Sequence, residues 1–218
     1  MAQEMILVLD FGGQYNQLIA RRVRELSVYS EVRPYTMPIE EIRSLAPKGI
    51  ILTGGPSDVF ADDAPMCPAE LFELGIPVLG ICYGAQLMMH LMGGEVAKAA
   101  VREYGHTDVE VDTATPLFAD VLPTTVCWMS HTNYISRTAP GFEVTAHTAV
   151  WPCAACQNVE RKLYCVQFHP EVSHTIEGQT ILGNFVLGIC GCSGSWKMNS
   201  FVDDSIAAIR AKVGSGRV

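Results

Sequence analysis

The sequence predicts an α/β protein in three layers, with a mixed, mostly parallel sheet and helices on both faces. Three observations carry this. Met5–Leu9 and Gly49–Leu52 are continuous apolar runs without alternation, the pattern of strands buried on both faces. Segments of helical period follow the strands: Tyr15, Leu18, Ile19, Val23 and Leu26 share one face, and Ala85, Leu87, Met88, Leu91 and Met92 follow a second apolar run, Ile76–Ile81. Strand alternating with helix implies parallel pairing, because the chain must cross back over the sheet between strands. From Val101 onward the pattern becomes more alternating, which predicts an antiparallel extension.

In chain order, Met5–Leu9 opens the sheet, and the helix after it turns Arg21, Arg22 and Arg24 outward as a solvated face, open to a partner-domain contact. Val28–Arg33 reads as a second strand, Ile39–Leu45 as a short helix and Gly49–Leu52 as a third strand. Thr53-Gly54-Gly55-Pro56-Ser57 is a turn, and Asp58–Pro68 a polar, proline-rich loop. After the run Ile76–Ile81 comes a helix stopped by Gly93-Gly94. Val101–Val111, Thr125–Ser130, Val144–His147, Ala154–Val159 and Lys162–Phe168 continue the sheet. Gln179–Ile189 reads as a helix. Ser200 is the N-cap of a last one, with Val202, Ile206, Ile209 and Val213 on one face.

A chain of 218 residues is long enough for one domain with a full core. Its 49% apolar and 17% charged residues are globular rather than disordered composition. A net charge of −8 argues against nucleic acid as a partner. No apolar stretch reaches transmembrane length and Met1–Glu4 has no basic n-region, so no membrane association and a cytoplasmic location are expected. In that compartment the eight cysteines are thiols. Cys153-Ala154-Ala155-Cys156 has a metal or redox spacing, but Cys190-Gly191-Cys192 does not complete a zinc knuckle and neither pair opens a thioredoxin-like unit. No metal is expected.

Chemistry concentrates at Pro77–Gln86. A buried strand ends in Gly80-Ile81-Cys82-Tyr83-Gly84 and a helix starts at once, the strand–turn–helix layout of a nucleophile elbow. The glycines admit a turn that a Cβ would crowd, and the helix N-terminus beside Cys82 favours a thiolate. A buried structural cysteine would also suit such a turn, and the elbow alone leaves both readings open. A second run, Leu163–Glu171, ends in His169-Pro170-Glu171. A thiol nucleophile needs a base for its proton and an acid for the leaving group, and His serves both near neutral pH. Glu171 could hold the tautomer and steady the imidazolium.

In Gly80-Ile81-Cys82-Tyr83-Gly84-Ala85-Gln86 and Phe168-His169-Pro170-Glu171 the sequence resembles the class I (triad) glutamine amidotransferases, whose signatures are G-x-C-x-G-x-Q and F-H-P-E. Val8–Leu26 is similar to the opening of that family's GMP synthetase branch. The resemblance runs from Met5 to the C-terminus, and it implies the flavodoxin-like fold of the class. It implies that Cys82, His169 and Glu171 are the catalytic triad acting on glutamine, with the N–H groups of Gly55 and Tyr83 as the oxyanion hole. Gln86 and the main chain of a loop at Ser130 and His131 would meet the substrate. The branch usually carries Gly-Asp after that Ser-His, where this chain has Thr132-Asn133, a departure that bears on the loop's conformation.

The resemblance further implies an amidotransferase domain over 1–192, with 193–218 a linker and the start of an ATP-pyrophosphatase domain. That domain's Ser-Gly-Gly-x-Asp-Ser phosphate loop is not in this sequence. No cofactor is implied on the amidotransferase part; ATP and magnesium belong to the other domain, which is also the expected partner and admits a homodimer through itself. The rivals are another synthetase's glutaminase subunit or a γ-glutamyl hydrolase on the same fold, and a non-catalytic regulatory module. The opening motif and the Cys-Gly-Cys tail argue against the first pair. The intact Cys82, His169 and Glu171 argue against the last.

Overall fold

The apolar run at the N-terminus becomes the sheet's second strand. β1 (Met5–Asp10) lies between β2 (Tyr29–Pro34) and β3 (Gly49–Leu52), parallel to both. β4 (Val78–Ile81) pairs with β3, and β9 (Leu163–Val166) pairs with β4, again in parallel. β8 (Ala155–Asn158), β7 (Glu143–His147), β5 (Glu95–Val111) and β6 (Thr124–Arg137) complete the sheet by antiparallel pairing, in the order β2-β1-β3-β4-β9-β8-β7-β5-β6. The computed structural model describes residues 4–198, 206, 209–214 and 216, without the side chains of 100–103.

Side chains alternate across the sheet and build a core on each face. Ile6, Val8 and Ile51 join one cluster with Ile19, Ala20 and Val23 of α1 (Asn16–Glu25) and with Ile181 and Leu182 of α4 (Gly178–Gly183). Leu7, Leu9, Ile50 and Leu52 join the other with Ile42 of α2 (Ile39–Leu45) and with Leu87, Met88 and Met89 of α3 (Tyr83–Leu91). The three-layer α/β arrangement is as expected. α3 is buried from Tyr83 to Met89, which is why its sequence is apolar nearly all round.

The structure departs from the sequence reading in four places. β5 starts at Glu95 and β6 runs on to Arg137, so Ser130–Asn133 lies inside a strand and not in a loop. Local propensity hides this: Ala97-Lys98-Ala99-Ala100 favours helix, and cross-strand pairing overrides it. The register shifts between Lys98 and Glu103, so that 99–102 form a bulge opposite Thr132. The expected helix at Gln179–Ile189 is α4 followed by a π-helical turn, Asn184–Ile189, in which Phe185 and Val186 are buried.

The α1 arginines are not one solvated face. Arg21 is exposed and pairs with Glu25 at 3.0 Å, but Arg22 Nε donates to the Glu171 carbonyl at 2.9 Å and Arg24 donates to the Ser30 carbonyl at 2.8 Å. At the C-terminus, 206 and 209–213 are helical, with Ile206 and Ile209 exposed, while Ser200 and Val202 lie outside the described residues. Ser193 bonds to Glu4, and Trp196 packs on Tyr29 of β2. All eight cysteines are free and buried. Among the described residues no helix is long and apolar enough to cross a membrane.

Candidate active site

The loops leaving the carboxyl ends of β1, β3, β4 and β9 converge on one pocket of about 310 Å³, closed on its far side by β6. This is where open α/β sheets gather their ligands. The β4–β9 register pairs Ile81 with Val166, which brings the elbow and the His-Pro-Glu turn side by side although they are distant in sequence. Cys82 N–H donates to the Val166 carbonyl at 2.9 Å, fixing the start of the turn.

Cys82 has φ 52° and ψ −106°, a conformation that a side chain rarely adopts and that costs on the order of 1–3 kcal/mol. Its surroundings enforce this. A Cβ on Gly84 would lie 2.5 Å from the Leu52 carbonyl oxygen, and one on Gly80 would lie 2.7 Å from the Gly84 carbonyl oxygen. Only glycine at both places lets α3 press this closely onto β3 and β4 while Cys82 caps the helix facing the pocket. The Cys82 thiol approaches the Ser130 carbonyl oxygen at 3.9 Å.

His169 is held on every side. Its N–H donates to the Trp128 carbonyl at 3.1 Å, its carbonyl accepts the Thr175 hydroxyl at 2.6 Å, and its ring meets the Tyr15 ring edge-on at 5.5 Å. Nδ1 donates to Glu171 Oε1 at 2.7 Å, and the ring stands beside Cys82: a Cβ on Gly54 would lie 3.1 Å from His169 Cε1 and 3.7 Å from Cys82 Cβ. Burial disfavours the imidazolium, but the neighbouring Cys82 and Glu171 side chains outweigh it and push the His169 pKa up to about 10. Glu171 is fully buried, Arg22 holds its carbonyl, and its Oε2 has no partner among the described residues. The three side chains form a thiol–imidazole–carboxylate line that can pass a proton from sulfur to nitrogen and steady the resulting charge.

Gly55 and Tyr83 both line the pocket, and no acceptor among the described residues takes up either backbone N–H. The Tyr83 hydroxyl donates to the Pro65 carbonyl at 2.7 Å, pinning the 58–68 loop to the elbow. Gln86 lines the pocket too, but its amide nitrogen is engaged with the Asn133 carbonyl at 2.9 Å and Gln167 Oε1 at 3.3 Å, leaving its own oxygen free for a ligand. Ser130 and His131 lie on β6 at the pocket wall. Among the described residues neither His131 ring nitrogen reaches a partner at ordinary hydrogen-bond length, and burial lowers its pKa to about 4, so the ring is neutral near neutral pH. Among the described residues no group of three or more His, Cys, Asp or Glu side chains could hold a metal ion.

The sequence reading assigned no site role to Gly12, Gly13, Tyr15 and Gln167, which also surround the pocket or its polar wall. A signal for the first three was present: Gly-Gly one residue after a buried strand marks a carboxyl-end loop of the same kind as Gly54-Gly55. Gln167 gave none, because its partner Gln86 comes from another strand–helix unit.

The glutamine amidotransferase class-I family profile matches residues 7–189. Over all 218 residues the chain is 59% identical to a glutamine-hydrolysing GMP synthase of Lachnospira eligens and 58% identical to one of Acetivibrio thermocellus, spanning 42% and 43% of their lengths. Among solved structures, a GMP synthase subunit protein from Thermoplasma acidophilum superposes with a TM-score of 0.77 at 29% identity, over 94% of this chain and 99% of its own. A Thermotoga maritima glutamine amidotransferase has the same fold, with a TM-score of 0.64 at 16% identity over 98% of this chain and 94% of its own. The matched span holds both the Cys82 elbow and the His169–Glu171 turn, and the chain belongs to the class I glutamine amidotransferase family.

Proposed function

We propose that this chain hydrolyses the side-chain amide of glutamine and is the glutaminase part of a GMP synthase. The observation that carries the reading is the line Cys82–His169–Glu171 opening on a pocket with two unengaged backbone N–H groups, in a chain whose relatives are named for glutamine hydrolysis. The Cys82 sulfur attacks the amide carbon with its proton already on His169, whose raised pKa keeps the imidazole protonated near neutral pH. The carbonyl electron pair moves to oxygen, where the N–H groups of Gly55 and Tyr83 stabilise it, each such donor being worth about 3–4 kcal/mol. The adduct collapses as His169 protonates the departing nitrogen, releasing ammonia and leaving a glutamyl thioester. Water then attacks the thioester carbon, His169 takes its proton, and the C–S bond breaks to release glutamate, the proton staying on His169 beside the Cys82 sulfur. Glu171 holds the imidazole by Nδ1 throughout. Gln86 and the β6 backbone at Ser130 and His131 hold the amino-acid end of the substrate.

The relatives' names extend the proposal to a partner. Ammonia passes to an ATP-pyrophosphatase domain that converts xanthosine monophosphate to GMP with ATP and magnesium, and a homodimer forms through that domain. Residues 1–192 are the amidotransferase domain and 193–218 lead toward the synthetase part. We place the protein in the cytoplasm, with no cofactor on this domain. The test is glutamate release from glutamine by the chain and by Cys82→Ala: the variant should be inactive at an unchanged far-UV spectrum. Retained activity in Cys82→Ala rules the reading out, and faster turnover of γ-glutamyl peptides than of glutamine replaces it with a γ-glutamyl hydrolase.

A further inference from the structure

We infer that Thr53 is a positioning residue whose buried hydroxyl holds the Gly54–Gly55 peptide in the orientation that presents the Gly55 N–H as an oxyanion donor. The inference rests on the amide-hydrolysis reading above. Gly-Gly is the most conformationally free dipeptide a chain can carry, so the donor peptide has no restraint of its own. The neighbouring hydroxyl supplies one. Thr53 is fully buried, its Oγ1 accepts the Phe11 N–H at 3.0 Å, and the same Oγ1 donates to the Gly54 carbonyl at 2.9 Å. The described chain has no cis peptide, so the N–H of Gly55 points away from the Gly54 carbonyl that Thr53 grips. The gripped side is also walled by backbone: a Cβ on Gly13 would fall 2.4 Å from the Gly54 carbonyl oxygen. Rotating the peptide breaks the Thr53 bond and strands a buried carbonyl.

Thr53 reaches the second donor as well. Its N–H bonds to the Leu9 carbonyl, and its carbonyl accepts the Gly84 N–H at 3.1 Å, one residue beyond Tyr83. One side chain and its own backbone therefore tie the end of β1, the Gly-Gly turn and the elbow helix into one frame around the proposed oxyanion. Valine matches threonine in shape but leaves both the Phe11 N–H and the Gly54 carbonyl unpaired, whereas serine keeps the hydroxyl.

The test compares Thr53→Val, Thr53→Ala and Thr53→Ser with the wild-type chain, in glutamine hydrolysis and in binding of two probes. Glutamate γ-semialdehyde forms a tetrahedral thiohemiacetal with the thiol and needs the oxyanion donors; glutamate, the product, does not. Thr53→Val and Thr53→Ala should each lose roughly 10–100-fold in kcat and as much in semialdehyde affinity, with KM and glutamate affinity within about 3-fold of wild type, while Thr53→Ser stays within about 3-fold throughout. Full kcat in both hydroxyl-free variants, equal loss of both probes, or a Thr53→Ser variant as impaired as Thr53→Val overturns the positioning role alone. A wild-type chain that neither hydrolyses glutamine nor takes up the semialdehyde overturns the amide-hydrolysis reading and this inference with it.

Discussion

Acid should destabilise this protein through His131, by an amount the structure sets. The ring is 5% exposed and burial holds its pKa down to about 4, the nearby Asn133 backbone offsetting part of this and the charge of His169 adding to it. In the unfolded chain a histidine takes its proton near ~6.5. A base whose folded pKa is depressed binds more protons when unfolded, so stability is lost as pH falls from ~6.5 through about 4. At about pH 5 the unfolded imidazole is almost wholly charged and the folded one almost wholly neutral, and linkage from about pH 7.5 gives a loss of ~2 kcal/mol. For a chain of this size that is roughly 4–8 °C in melting temperature. His169 works in the opposite direction: with its pKa raised to about 10, its contribution is complete below the unfolded value and fades as pH rises toward about 10. A single melting curve therefore mixes the two, and the informative quantity is a difference. Thermal melts of wild type and His131→Phe at about pH 7.5 and about pH 5 isolate it, since both proteins keep His169. The gap, variant minus wild type, should widen by roughly 4–8 °C on acidification whatever its value at neutral pH. A gap that does not change with pH refutes the reasoning and means that the folded protein carries His131 at an ordinary pKa.

Glu171 bonds only the far side of the imidazole, so Glu171→Gln should slow glutamine turnover at least ~10-fold less than His169→Ala; equal losses in a steady-state assay would mean that the carboxylate does more than orient the ring. Cys82→Gly should melt above Cys82→Ala, because glycine relieves the strain at φ 52° and ψ −106°. Against the extra unfolded-state entropy of glycine, the net gain is on the order of 1 kcal/mol, a few degrees in calorimetry; a lower melting temperature for the glycine variant would show that the elbow is not strained.

The sequence alone determined the residue types of the chemistry and the layering of the fold. The Cys82 elbow and the His169-Pro170-Glu171 turn are local patterns, written in adjacent residues, and the apolar runs of β1, β3 and β4 need no partner to be recognised. Everything settled by contact between distant segments stayed out of reach. Ser130–Asn133 became strand because the 95–111 segment, with no strand signal at its start, pairs with it across a bulge. Arg22 turned inward because the Glu171 carbonyl passes beside α1, and an amphipathic pattern cannot say which arginine at a helix edge finds a buried acceptor. Thr53 read as one residue of a turn, yet the tertiary structure makes it the meeting point of β1, the Gly-Gly loop and the elbow. Apolar periodicity reports which face of an element is buried. Hydrogen bonds across the sheet depend on strand order and register, and those exist only once the chain has folded.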